Sequence, residues 1–325
     1  MTTLVTGGAG FIGSHLAARL LERGERVIVL DDFNDSYDPS LKRANAARIG
    51  ARDGARRGAT IVEGDVRDGT LIERIFSEHG VRRVAHLAAL PGVRASIEES
   101  ERYLSVNTLG TTTVLEASRR HAVEVFVFGS TSSVYARTER LPFTEDDHAD
   151  RPLAAYPASK RSSELIAHAY THLFELPVTS LRFFNVYGPA GRPDMMPLRV
   201  MQAIVEGAEI PIFSQGTLER DWTYIDDTLD GIVAALERPM GYEIINLGLG
   251  RPVSLNEFIE TIERLAGREA RRKDVPTPLS EPPVTFCDNA KARRLLDFAP
   301  KISLQEGLER TWEWFEASRS PRGTP

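Results

Sequence analysis

The sequence predicts an α/β protein in which a doubly wound parallel sheet is joined to a smaller α/β lobe. Three observations carry that expectation. Thr3-Leu4-Val5-Thr6 is a short apolar run that ends in Gly7-Gly8-Ala9-Gly10-Phe11-Ile12-Gly13 and continues into a helical segment from Ser14 to about Arg23. Such a stretch reads as strand, tight turn and helix. Strand-like and helix-like segments then alternate over roughly the first 180 residues, the pattern of parallel strands linked by crossover helices. Finally, a second apolar run, Arg26-Val27-Ile28-Val29-Leu30, ends in an acid, Asp31.

In the first unit each glycine has its own role. Gly7 turns the chain off the strand, Gly10 leaves room for a pyrophosphate beside the backbone, and Gly13 lets the helix lie against the sheet. A pyrophosphate there meets the free N–H groups of Phe11 and Ile12 and the positive end of the helix. The spacing satisfies both Gly8-x-Gly10-x-x-Gly13 and Gly7-x-x-Gly10-x-x-Gly13. A lone glycine motif is weak, but Asp31 gives it context, because a carboxylate at that point accepts the ribose hydroxyls of an adenosine. The same charge repels a 2′-phosphate, which favours NAD over NADP.

The chain has 325 residues, 42% hydrophobic and 26% charged, with a net charge of −6 and one cysteine, Cys287. This is ordinary globular usage. The negative charge, without a basic run interleaved with aromatics, argues against a nucleic-acid partner. No apolar stretch reaches membrane-spanning length, and the first strand begins at once, so the expectation is a cytoplasmic protein with no membrane partner. A single cysteine forms no internal disulfide or thiolate cluster, and no metal site is expected.

Further along, 35–58 is polar and arginine-rich and reads as a loop with a short helix. Thr60 to Val66 reads as a third strand, with Asp65 and Val66 at its end beside an adenine. Arg82 to Ala89 reads as a fourth, with Leu87 and Ala88 where a nicotinamide ribose approaches. His86 within it is more often a core histidine than a catalyst. A long helix is expected from Ser96 to about His121, carrying Asn107 on the cofactor side. Glu124 to Gly129 is a buried strand, followed by Ser130-Thr131-Ser132-Ser133-Val134-Tyr135 at the carboxyl end, where ligands sit in such sheets. Tyr156-Pro157-Ala158-Ser159-Lys160 opens a helix running to Phe174. The i, i+4 spacing stacks phenol and ammonium on one face. A cation there lowers the phenol's pKa from about 10, and the positive ring of oxidised NAD acts the same way, so Tyr156 can serve as a general base.

These segments, with Pro91-Gly92-Val93-Arg94, Leu181 to Pro189, Gly191-Arg192-Pro193-Asp194-Met195 and Arg220 to Asp227, closely resemble the extended short-chain dehydrogenase/reductases. Within them the chain is most similar to the nucleotide-sugar epimerases, above all the UDP-glucuronate 4-epimerases. The resemblance implies a Rossmann sheet, bound NAD, a UDP-sugar substrate and a homodimer through the helices around 100–120 and 157–174. It implies that Thr131 hydrogen-bonds the reacting sugar oxygen, with Ser132 and Ser133 beside it, that Arg192 meets the sugar carboxylate and Arg220 the diphosphate, and that Glu281 accepts the uridine ribose. Arg94 is expected to face the substrate.

Asn185 departs from the pattern: many glucuronate epimerases carry Thr there, and glucose epimerases carry Asn. UDP-glucose epimerisation is therefore the alternative. A decarboxylase, a 4,6-dehydratase and a non-catalytic NAD-binding protein are less well matched, the first two for want of an acid at Ser132 or Ser133. Residues 1–182 with a return segment of about 215–245 are expected to form the NAD-binding domain, and 183–214 with 246–325 the UDP-sugar-binding domain. Thr223 to Glu237 lies in the return, Ser254 to Gly267 is a helix of the cap, 267–283 a loop and 318–325 a frayed tail.

Overall fold

The computed structural model describes residues 1–50, 58–136, 138 and 140–319. Its central layer is a seven-stranded sheet in the order Tyr242–Leu247, Val178–Phe183, Val125–Thr131, Arg83–His86, Thr2–Thr6, Arg26–Asp31, Thr60–Glu63, with every neighbouring pair parallel. Successive side chains leave a strand on opposite faces. Leu4 accordingly joins one core with Ile28, Val84 and Phe126, while Val5 joins the other with Val29, Ala85 and Val127. Both faces are covered by helices, so Thr2–Thr6 and Val125–Thr131 are buried at every residue instead of alternating between core and solvent. Helices Phe11–Glu22 and Ile225–Glu237 pack together on one face; Gly69–His79, Gly110–Arg120 and Ala155–Phe174 cover the other. The strand order reverses at Thr2–Thr6, and a crevice opens beyond the carboxyl ends there.

A second lobe sits over those ends. Asn185–Tyr187, Glu219–Tyr224, Pro252–Ser254 and Val284–Thr285 make one small sheet, and Glu209–Phe213 pairs with Arg271–Val275 in another. Around them lie helices Met196–Glu206, Leu255–Ala266, Ala290–Leu296 and Leu304–Arg319. Leu255–Ala266 begins where Ser254 Oγ accepts the Glu257 N–H (3.1 Å) and ends where Gly267 takes the left-handed conformation at φ 63°.

The structure differs from the sequence reading in four places. The ladders of the third and fourth strands stop at Glu63 and His86, before the cofactor-side residues. The expected long helix is broken into Ala95–Glu98, Ser100–Tyr103, a π-helical turn Leu104–Leu109 and Gly110–Arg120, the turn carrying Asn107. The return to the first lobe starts at Ile225, not near 215, because Glu219–Tyr224 is bound into the small sheet, where the buried Asp221 accepts the Leu249 and Gly250 N–H groups at 2.8 and 2.9 Å. The stretch taken as a loop contains the strand Arg271–Val275; it lies at a sheet edge, where charged side chains are tolerated. Helix Pro39–Gly50 occupies part of 35–58, whose residues 51–57 lie outside those described, as do 320–325 of the expected tail. Among the described residues no helix is long and apolar enough to cross a membrane.

Candidate active site

A cavity of about 970 Å³ lies between the lobes at the carboxyl ends of the strands. Its floor begins with the glycine turn. Gly7 has φ 66°, and a Cβ on it would lie 2.8 Å from the Ala88 backbone; one on Gly13 would lie 2.2 Å from the Gly7 oxygen. Both positions therefore need glycine for close packing. Gly10 faces the cavity, and as the N-cap of Phe11–Glu22 it offers no side-chain cap, so the Phe11 and Ile12 N–H groups have no acceptor among the described residues. Those free donors at a helix N-terminus fit the pyrophosphate of NAD.

Asp31 is buried and anchors this turn, accepting the N–H of Ala9 (3.1 Å) on one oxygen and of Phe33 (2.9 Å) on the other, with Lys42 Nζ at 3.8 Å. Burial pushes its pKa up and Lys42 opposes this. Each oxygen retains a lone pair for a ribose hydroxyl. Asp65 lines the cavity too, but Arg67 takes both its oxygens, at 3.0 Å from Nε, and holds its carboxyl below the usual range. Val66, Leu87 and Ala88 also line the cavity. Asn107 does not. It is fully buried and holds Leu90 at both N–H and C=O (2.7 and 3.1 Å) while donating to Ser159 Oγ (3.0 Å). Its place is behind the site, tying the end of the fourth strand to the Tyr156 helix, and the π-helical turn aims it there.

Thr131 ends its strand, and its Oγ1 accepts the Ser133 N–H at 3.2 Å and donates to Ser133 Oγ at 3.3 Å. Thr131 acts on the Tyr156 phenol in favour of its ionised form, and the Tyr156 ring stands edge-on to Tyr103, with centroids 6.3 Å apart. Lys160 is 2% exposed, with Nζ 4.3 Å from the centre of the Phe128 ring. Burial pushes the Tyr156 phenol up, with Thr131 and Arg192 opposing, and pushes the Lys160 ammonium down to about 7. The sequence reading had Lys160 lowering the phenol; in the protein alone desolvation is the larger effect.

The second lobe supplies the remaining wall. Arg192 donates through Nε and Nη2 to Asp194 at 3.0 and 2.6 Å. Burial opposes its charge, but the Asp194 pairing outweighs that. Glu281 accepts from Arg94 Nη2 at 2.8 Å and Arg220 Nη2 at 2.9 Å, so these three residues pair with one another across the cleft, and Arg94 also lies over Phe213. Ser132, Ser133 and Asn185 line the cavity, and no hydrogen bond to the Asn185 amide occurs among the described residues. Sequence reasoning missed Tyr103, Phe128, Asp194 and Glu164. Spacing could have flagged two of them, Asp194 two residues from Arg192 and Glu164 one helical turn beyond Lys160; Tyr103 and Phe128 reach the site only through tertiary packing.

Comparisons with known proteins agree with this arrangement. The chain is 42% identical over 312 residues to a UDP-glucuronate 4-epimerase of Thermodesulfobacterium geofontis, covering 96% of this chain and 95% of that protein. Its structure is similar to that of the Bacillus cereus UDP-glucuronic acid 4-epimerase in complex with UDP-glucuronic acid and NAD, with TM-score 0.90 and 35% identity over 97% of this chain and 99% of the other. A UDP-glucose 4-epimerase of Thermotoga maritima with UDP-glucose is similar as well, at TM-score 0.90 and 32% identity over 98% and 100% of the two chains. Residues 3–248 match the family description, and the chain belongs to the NAD dependent epimerase/dehydratase family.

Proposed function

We propose that the protein is an NAD-dependent 4-epimerase of a UDP-hexuronic acid, interconverting UDP-glucuronate and UDP-galacturonate through a transient 4-keto sugar without net redox. The observation that carries this reading is Arg192. Its Nε and Nη2 edge is fixed by Asp194 within the cavity that holds Tyr156 and Thr131, which leaves Nη1 free for a carboxylate.

NAD, which the glycine turn and Asp31 would hold, would supply a cationic ring able to accept and give back a hydride. Tyr156 removes the proton of the 4-hydroxyl, and Thr131, which favours the ionised phenol, holds the same oxygen. Oxidised at C4, a hexuronate is a β-keto acid, which loses carbon dioxide when its C–CO₂⁻ bond aligns with the ketone π system. Arg192 holds the carboxylate out of that alignment while the ring turns. Ser132 and Ser133 supply no acid for elimination or decarboxylation. Arg94, Arg220 and Glu281 exchange their mutual pairing for the diphosphate and uridine ribose. The first lobe takes NAD and the second the UDP-sugar, and the cytoplasmic address expected from the sequence belongs to this proposal.

UDP-glucose is the second reading, favoured by the Asn185 amide that lines the cavity. Arg192→Ala separates the two. Turnover of UDP-glucuronate is expected to fall by roughly 10- to 100-fold, the loss of a charge-assisted hydrogen bond, with UDP-glucose little affected. Equal losses on both sugars would falsify the carboxylate role.

A further inference from the structure

The helix that carries the reacting groups has a third member on the same face. Tyr156, Lys160 and Glu164 are four residues apart, so their side chains form one stripe along Ala155–Phe174. Glu164 is fully buried and accepts four hydrogen bonds: from Ser130 Oγ (2.6 Å) and Arg182 Nε (2.9 Å) on one oxygen, and from Arg182 Nη2 (2.8 Å) and Arg161 Nη1 (3.0 Å) on the other. Ser130 and Arg182 lie side by side on the parallel strands Val125–Thr131 and Val178–Phe183. Ser130 immediately precedes Thr131. One carboxylate thus ties the catalytic helix to two strand ends, a turn below the reacting groups.

Stability alone is a poor reason for such a device. Burying an ion pair commonly gains nothing over an apolar pair of the same volume, because desolvation cancels the attraction. The surroundings of Lys160 supply another reason. Its ammonium lies on the Phe128 ring, and His86 on the adjoining strand is held neutral between Thr6 and Thr111. The helical stretch 104–120 presents Asn107, Thr108 and Thr111 on this side, none of which titrates in the working range. Tyr156 lies one turn away with Tyr103 beyond it, and Arg182 and Arg161 are both closed onto Glu164. Among the described residues, Glu164 is the carboxylate that acts on Lys160.

We propose that Glu164 is a positioning residue: through Ser130 and Arg182 it fixes the catalytic helix against the strand end bearing Thr131, and it sets a negative charge one helical turn from Lys160. Burial pushes Lys160 down to about 7 and Glu164 raises it. The ammonium is present below that pH and lost above it, so removing the Glu164 charge moves the loss to lower pH. The inference rests on the epimerase reading only for its kinetic consequence.

The chain has five lysines, so ¹³Cε-lysine labelling of the full protein gives a readable set of signals, with Lys160→Met assigning the one of interest. In the wild type the Lys160 signal is expected to titrate near neutral pH. In Glu164→Gln it should titrate about one unit or more lower. That variant leaves Arg182 unpaired, so Glu164→Gln/Arg182→Met is measured beside it, and the shift should persist there. Glu164→Asp should bring the titration back towards the wild type.

A Lys160 titration unchanged in both Gln variants, or restored to the wild-type value in the double variant, would overturn the proposal and leave Glu164 as a partner of Arg182 alone. With whichever of UDP-glucuronate or UDP-glucose the wild type turns over, kcat of Glu164→Gln at pH 8 should fall at least tenfold with KM within twofold. A wild type that prefers UDP-glucose refutes the substrate assignment and leaves the NMR result standing.

Discussion

At the scale of single residues, the proposed chemistry turns on two groups that the fold pushes towards neutrality. Burial raises the Tyr156 phenol and lowers the Lys160 ammonium to about 7. The i, i+4 pairing was legible in the sequence because it depends on helix geometry alone. The desolvation was not, since it comes from Phe128, Tyr103 and the second lobe, all distant in the chain. Tyr156→Phe keeps the ring and its edge contact with Tyr103 while deleting the titrating hydroxyl. Turnover at saturating substrate is expected to drop by about 10²-fold or more with the circular dichroism spectrum unchanged. Near-normal turnover would remove Tyr156 from the role of base. Arg192 was readable from its motif, and Asp194 is what directs it. Asn107, taken from the sequence as a cofactor contact, proves to hold Leu90 and Ser159 behind the cavity.

Among the elements, those with strong local signals were readable and those dictated by partners were not. The glycine turn, the apolar strands and the Ser254-capped helix announce themselves through backbone demands and periodicity. The π-helical turn Leu104–Leu109 has no such mark, because one extra residue in a helix is accommodated by what Asn107 reaches. The strand Arg271–Val275 is charged at Arg271, Arg272, Lys273 and Asp274 and gains its ladder only from Glu209–Phe213.

The helices also leave an apolar remainder. Leu104, Leu109, Leu165, Leu173 and Phe174 are between 44% and 65% exposed on the helical stretch 104–120 and on Ala155–Phe174. The homodimer expected from the sequence predicts that this surface is covered, since monomers seldom expose so many large apolar side chains together. Sedimentation should give a dimer for the wild type and a monomer for Leu165→Glu. A monomeric wild type, or a variant that stays dimeric, would refute that expectation.

At the scale of the whole molecule, the parallel sheet of the first lobe sets the reacting groups at its carboxyl ends, and the second lobe closes over them. The alternation of strands and helices made the first half of this plan legible. The crossing of the chain was harder to read, because Glu219–Tyr224 pairs in the small sheet while the helix Ile225–Glu237, adjacent in sequence, packs on Phe11–Glu22. That crossing is what brings Arg192, Arg220 and Glu281 to the cavity floored by Gly10 and Asp31.

The most direct measurement is product analysis by NMR after incubating the purified protein, without added NAD, with UDP-glucuronate and with UDP-glucose in parallel. UDP-galacturonate should accumulate to an equilibrium with UDP-glucuronate, with little UDP-xylose or 4-keto-pentose and slower or no reaction of UDP-glucose. Faster epimerisation of UDP-glucose, or UDP-xylose as the main product, would contradict the assignment of this site to an acid sugar.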